Sequence, residues 1–298
     1  MRQAIRTDLA IEGAEFFRES AGETTKLDGV EAREYDDDGF TVHEVTILNE
    51  VGAAAIGKPI GRYVSVDVER YVEKRDNAFS DGVGVIARIV RDLLRLSRDS
   101  SVLVVGLGNP AITPDDLGPR TTKGLIVTRH LLEQIPLEFA DFRKVAALDT
   151  GVLGTTGIES LELVRAVVDA IAPDAIIAVD SLVSRSLTRL CRTVQVNDSG
   201  IVPGSGVGNA RLGLNAATVG VPVIAIGVPT VVAASTMIRD ALERAGSDPD
   251  SIELQLDMIV TPKDIDAQIR DLGKLLAYAL NLALHDDLSE DDVTAFLA

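Results

Sequence analysis

Hydrophobic and polar positions follow two textures along this chain. From 30 to 48 they alternate around Asp36-Asp37-Asp38-Gly39, which predicts a β-hairpin closed by an Asp-Gly turn. At 62–68, Val64, Val66 and Val68 alternate with Tyr63, Ser65 and Asp67, predicting another half-buried strand. Between 85 and 96, Val85, Ile89, Leu93 and Leu96 recur at helical spacing, with Arg88, Arg91, Asp92 and Arg95 on the opposite side. That stretch predicts an amphipathic helix. Residues 1–28 are polar, mixed in charge and only weakly periodic.

Beyond Ser101 the texture changes. Short runs at 102–105, 176–179 and 223–226 are apolar at every position, and they alternate with helical patterns at 121–134, 161–171 and 233–245. Strands buried on both faces belong in a parallel sheet covered by helices. A last long helix is predicted over 265–284. Ser289, with Asp292 three residues on, marks the start of a short acidic helix. No internal repeat or linker interrupts the pattern. The expectation is a single α/β domain, doubly wound around a mostly parallel sheet, with an N-terminal β-rich elaboration.

Charge narrows the partners. The 298 residues carry 29 Lys and Arg against 46 Asp and Glu, a formal net charge of -17, so the chain as a whole repels the phosphates of nucleic acid. The single cysteine, Cys191, cannot form an internal disulfide, which points to a reducing, intracellular setting. The N-terminus lacks the apolar core of a secretory signal, and no stretch is apolar for long enough to span a membrane. A cytoplasmic protein with no nucleic-acid or membrane partner is expected.

In open α/β sheets, sites lie beyond the carboxyl ends of the strands. Three loops rich in Gly and polar residues fall there, at 106–118, 150–159 and 198–209, and Asp180 ends the predicted strand 176–179. Ala111 stands where a dinucleotide fingerprint needs its third glycine, and neither a P-loop nor a Gly-x-Ser-x-Gly elbow occurs. His43, His130 and His285 are scattered and form no zinc pair. Only His130, late in the predicted 121–134 helix, is available to a Ser or Cys nucleophile. Neither a metal nor another cofactor is expected.

What remains is acidic. Asp115 and Asp180, on neighbouring strand ends, could share a proton, because like charges at short range push one pKa up and leave the other low. The ionised member can then activate water while the protonated one polarises a carbonyl or protonates a leaving amine. Simpler uses stay open for both: an Asp after Pro114 suits a helix start, and an Asp at a strand end suits a turn. Asp116, directly before Leu117-Gly118-Pro119, is the better cap of the pair. The glycines of the loops fit tight turns as well as backbone N–H groups offered to an oxyanion or an extended peptide. Asn109, Gly154, Gly157, Glu159, Gly206 and Asn209 are the candidate substrate contacts among them.

Several strings resemble the germination protease family of endospore-forming bacteria. They include 6–12 (Arg-Thr-Asp-Leu-Ala-Ile-Glu), 106–109 with 113–115, 128–130, 151–159, 178–182, 203–209 and 220–230, in the family's order. The resemblance implies a metal-free aspartic endopeptidase, made as a homotetrameric zymogen, that degrades small acid-soluble spore proteins in the spore core when germination starts. It assigns the two essential aspartates to Asp115 and Asp180. Family substrates are cut between Glu and Phe in Thr-Glu-Phe-Ala-Ser-Glu, which Thr7-Asp8-Leu9-Ala10-Ile11-Glu12 imitates position by position. The resemblance therefore implies autoprocessing at Asp8–Leu9, with residues 1–8 a short pro-segment and 9–298 the peptidase domain. Asp116 departs from the small residue frequent in the family. The 106–118 loop is also similar to that of hydrogenase-maturation endopeptidases, whose metal needs a His that 201–209 lacks. A metal-dependent maturation endopeptidase and a non-catalytic peptide-binding sporulation module are the alternatives.

Overall fold

A computed structural model describes residues 7–21, 27–204, 211–248, 256 and 258–298. The strands are β1 (Val30–Asp37), β2 (Phe40–Ile47), β3 (Gly61–Asp67), β4 (Val102–Leu107), β5 (Val145–Gly151), β6 (Ala175–Ser184), β7 (Thr193–Asn197), β8 (Val223–Ala233) and β9 (Ile259–Val260). The helices are α1 (Ala10–Ala21), α2 (Glu50–Ile56), α3 (Glu69–Val72), α4 (Ala78–Leu94), α5 (Leu117–Lys123), α6 (Arg129–Gln134), α7 (Leu153–Thr156), α8 (Ser160–Ile171), α9 (Ala216–Val219), α10 (Ala234–Arg244), α11 (Ile265–Leu284) and α12 (Glu290–Leu297). No helix among the described residues is long and apolar enough to cross a membrane.

All the strands join one sheet, ordered β1-β2-β3-β7-β8-β6-β4-β5, with β9 added to β8. The half from β8 through β6 and β4 to β5 is parallel. From β8 through β7 and β3 to β1 every pairing is antiparallel. The predicted N-terminal β-rich elaboration is thus continuous with the doubly wound sheet, β7 being the strand that welds them. Its hairpin turns at Asp38 and Gly39, both at positive φ, and Gly39 N–H donates to Asp36 Oδ1 at 3.0 Å.

Alternation along the strands sends side chains to two helical layers. Val102, Val104, Ile177, Val179, Val194 and Val196 join the large core under α4, α5 and α11. Leu103, Val105, Ile176 and Ala178 face the other way, against α8. On that second side α1 and α2 cover the antiparallel half, through Ala10, Ala14 and Ile56 on Val45, Ile47 and Tyr63.

Three sequence expectations need correction. The pattern at 121–134 is two helices, since α5 ends at Lys123 and α6 begins at Arg129. The link between them is held extended by Asn281 of α11, whose amide donates to Gly124 O at 2.8 Å and accepts from Ile126 N–H at 2.9 Å. Asp180 does not end its strand: β6 runs on to Ser184, because β8 keeps pairing with it from Ile176↔Val223 to Ser184↔Val232. The helix read at 85–96 begins earlier, at Ala78, because Gly82, Val83 and Ile86 extend its buried face.

Candidate active site

β4 stops pairing with β6 at Gly106↔Val179, so from Asp180 onward β8 is the one strand paired with β6 among the described residues. The vacated edge opens a cleft of about 640 Å³. Residues of all three Gly-rich loops line it, including Gly108, Asn109, Asp115, Gly151, Gly154, Glu159, Ile201 and Gly204, together with Asp180–Val183. The sequence reading did not anticipate Lys58, Tyr63, Gln195 and Arg211, which line it too. Gly157 is not among the described lining residues and caps α7 at positive φ. Gly206 and Asn209 lie outside the described residues, as do residues 1–6. His130 is exposed on α6, and no histidine is among the described lining residues.

Asp115 closes a 3-10 turn, Thr113–Asp115, that folds back over β4. Gly108 permits this approach: at φ 117°, a Cβ there would sit 2.1 Å from Asp115 O. Asn109 N–H donates to Asp115 Oδ2 at 2.8 Å, and Asn109 Oδ1 accepts from Ala111 N–H at 3.0 Å, so Asn109 shapes the loop. Thr230 of β8 pins the same turn by donating to Pro114 O at 2.7 Å. Burial pushes the Asp115 carboxyl up to about 6, assisted by the charge of Asp116 and opposed by the Asn109 N–H. Asp116 stands at the helix start without capping it and instead accepts from Arg120 Nε at 2.8 Å.

Asp180 is buried in β6, and its Oδ1 accepts from Ser181 N–H at 2.8 Å. Burial raises its pKa well above the carboxylate range, and the negative charges of Asp115 and then Asp8 raise it further. Both carboxyls are thus shifted upward, Asp115 mainly by burial and Asp180 by burial together with the charge of Asp115. No group of three or more His, Cys, Asp or Glu among the described residues is placed to hold a metal ion.

The chain's own N-terminal segment forms part of the cleft wall, through Asp8. Asp8 N–H donates to Val183 O at 2.8 Å, and Val183 N–H donates to Asp8 Oδ2 at 2.9 Å. Lys58 donates to Thr7 O at 3.0 Å with its ammonium 4.0 Å from Asp8 Oδ1; burial lowers its pKa, while Asp8 and Glu12 oppose that shift. Leu9 is fully buried against Leu182 and Ile11. α1 begins at the next residue, and Gln195 accepts from Ala10 N–H at 2.8 Å while donating to Asp8 O at 3.1 Å. Glu12, buried in the first helical turn, accepts from Arg185 N–H at 2.6 Å and Ser186 N–H at 3.0 Å, with Arg189 at 3.7 Å.

Fold and cleft together define an α/β protein whose cleft is lined by its own Asp8, by the half-buried Asp115 and by the buried Asp180. The family profile described as germination protease matches residues 10–245. Germination proteases of Caldanaerobacter subterraneus subsp. tengcongensis and Clostridium tetani are 41% and 38% identical to this chain, covering 98% and 99% of both partners respectively. That of Bacillus licheniformis is 35% identical over 97% of this chain and 95% of its own. The chain belongs to the germination protease family and is a peptidase. Among solved structures, the NiFe hydrogenase maturation protease HycI from Thermococcus kodakarensis KOD1 is similar over 64% of this chain and 98% of its own, at 16% identity and a TM-score of 0.36.

Proposed function

We propose that this peptidase is an aspartic-type endopeptidase that uses Asp115 and Asp180 to activate water, and that its first substrate is its own Asp8–Leu9 bond. The observation that carries this reading is that Asp8 lines the same cleft as both carboxyls while Leu9, the next residue, is buried against Leu182 at its edge. Asp115, ionised first, accepts a proton from water as the water oxygen bonds to the Asp8 carbonyl carbon. Asp180 protonates the Leu9 nitrogen as the C–N bond breaks, and the proton held by Asp115 restores Asp180. Products are the Asp8 carboxyl group and a free Leu9 amine.

The contacts around the segment also support a substrate preference. Val183 N–H and Lys58 favour an acid before the cut. The pocket around Leu9 favours a large apolar residue after it, and the Arg185 and Ser186 amides with Arg189 favour an acid four residues past the first. Thr-Glu-Phe-Ala-Ser-Glu meets all three requirements, which makes small acid-soluble spore proteins the proposed substrates. In this reading residues 1–8 are a pro-segment whose last residue, Asp8, stays on the cleft wall until it is cut. The resemblance to the family adds the proposal that the enzyme is a homotetramer of the spore core; sedimentation of the purified chain checks the assembly.

Incubated at neutral pH, the full chain should acquire the N-terminal sequence Leu-Ala-Ile-Glu. Asp115→Asn and Asp180→Asn should each slow that release by roughly 10²–10⁴, the range of general acid–base catalysis. An intact Met1 in the wild type, or normal processing in either variant, overturns the assignment.

A further inference from the structure

We infer that Gln195 is a catalytic residue of this peptidase: its side-chain amide binds the carbonyl of the bond to be cut and stabilises the oxyanion formed there. The inference rests on the reading of Asp8–Leu9 as that bond and adds a group which neither the sequence motifs nor the carboxyl pair supply.

The sheet register brings Gln195 to the site. Asp180 of β6 is level with Gly227 of β8, and Gly227 is level with Gln195 of β7. Residues level in adjacent strands project from the same face. Asp180 and Gln195 therefore flank a position with no side chain, where a Cβ would lie 2.5 Å from Leu182 Cγ. The Leu182 side chain folds over Gly227 into that space and packs against Leu9 there, so the segment rests on it between Asp180 and Gln195. Glycine inside a strand commonly marks such a close approach.

The amide of Gln195 straddles the bond. Its Nε2 donates to Asp8 O, and its Oε1 accepts from Ala10 N–H, the first free donor of α1. Asp8 O can only accept and Ala10 N–H can only donate, so chemistry fixes which end of the amide points where. Gln195 is 2% exposed, and in that dry setting a donor aimed at the carbonyl gains strength as negative charge develops on its oxygen. Water attack converts the carbonyl oxygen to an oxyanion that still accepts from Nε2; collapse expels the Leu9 nitrogen, protonated by Asp180, and restores the carbonyl. The second bond keeps the departing segment aligned until then.

The test follows self-cleavage of the full chain, read as first-order appearance of the Leu9 N-terminus by mass spectrometry. Gln195→Met and Gln195→Glu should slow it by roughly 10²–10³, the cost of removing one oxyanion donor. Gln195→Glu matches the wild type in size, so it decides the matter if the Met chain fails to fold. Its deficit relative to wild type should shrink as pH falls, because a protonated Glu regains a donor, and it should do so without a parallel gain in thermal stability, which relief of a buried charge alone would bring. A wild-type rate in Gln195→Glu, or a deficit unaffected by pH, overturns the inference while leaving the Asp8–Leu9 reading in place. A wild-type chain that never releases Leu9 removes that parent reading and this inference with it.

Discussion

At the scale of single residues, the site depends on two carboxyl groups made unequal by their surroundings. Asp115 is pushed up to about 6, mainly by burial, and Asp180 is raised well above its ordinary value by burial and by the charge of Asp115. A general base works only when ionised, so kcat/KM for an added peptide should rise as pH climbs through about 6 and fall once Asp180 loses its proton. A pH–rate profile that falls, rather than rises, through this range contradicts Asp115 as base. Stability carries the opposite sign. With its folded-state pKa above the unfolded value of 3.8, Asp115 binds more protons in the native state, so its ionisation destabilises the fold as pH rises from about 4 through 6. Asp115→Asn should therefore melt higher than wild type at pH 7, by on the order of 1–3 kcal/mol, and equal it below about pH 4. Thermal melts at the two pH values check this. Both aspartates were legible in the sequence as acids near strand ends. Lys58 and Gln195 were not, because a lone Lys in a loop and a lone Gln in a strand carry no local pattern; only the strands and loops folded around them give them partners.

At the scale of elements, the cleft exists because β6 outlasts β4. The sequence pattern located both strands but broke β6 at Asp180, since a carboxylate followed by Ser181 ends an apolar run. The ladder with β8 overrides that local signal. Similarly, the helical periodicity at 121–134 was real on either side of Gly124, and the interruption is set by Asn281, far along the chain. Gly227 is the element-level feature most exposed to test. In Gly227→Ala the new methyl group meets Leu182, which packs against Leu9, so one of them must shift. Self-cleavage should slow roughly 10- to 100-fold from the misplaced bond, with a stability loss of about 1–3 kcal/mol from overpacking. Unchanged kinetics would show that the floor of the cleft at Gly227 does not seat the segment.

At the scale of the whole molecule, cutting Asp8–Leu9 alters what the N-terminal segment can tolerate. The new Leu9 amine is an ammonium placed in a fully buried position one residue before α1, where the positive end of the helix dipole repels it. The cut should thus loosen the segment and clear the cleft for other polypeptides. Amide hydrogen exchange at residues 9–17 should be faster, by tenfold or more, in the processed chain than in uncut Asp115→Asn, in line with opening of a local unit. Equal protection in both would mean that processing leaves the cleft blocked. The chain's own periodicity determined the two textures, the Asp38-Gly39 hairpin, the run of buried strands with their covering helices, and the long α11, because burial on one face or two is written into the spacing of apolar residues. Tertiary structure alone decided that β7 welds the antiparallel half to the parallel one, that Gln195 and Asp180 share a face across Gly227, and that Thr7–Glu12 returns to the cleft. Those outcomes depend on groups from separate elements, as close as Gln195 and Gly227 and as distant as Asp8 and Val183, meeting in register, and no local pattern encodes such a meeting.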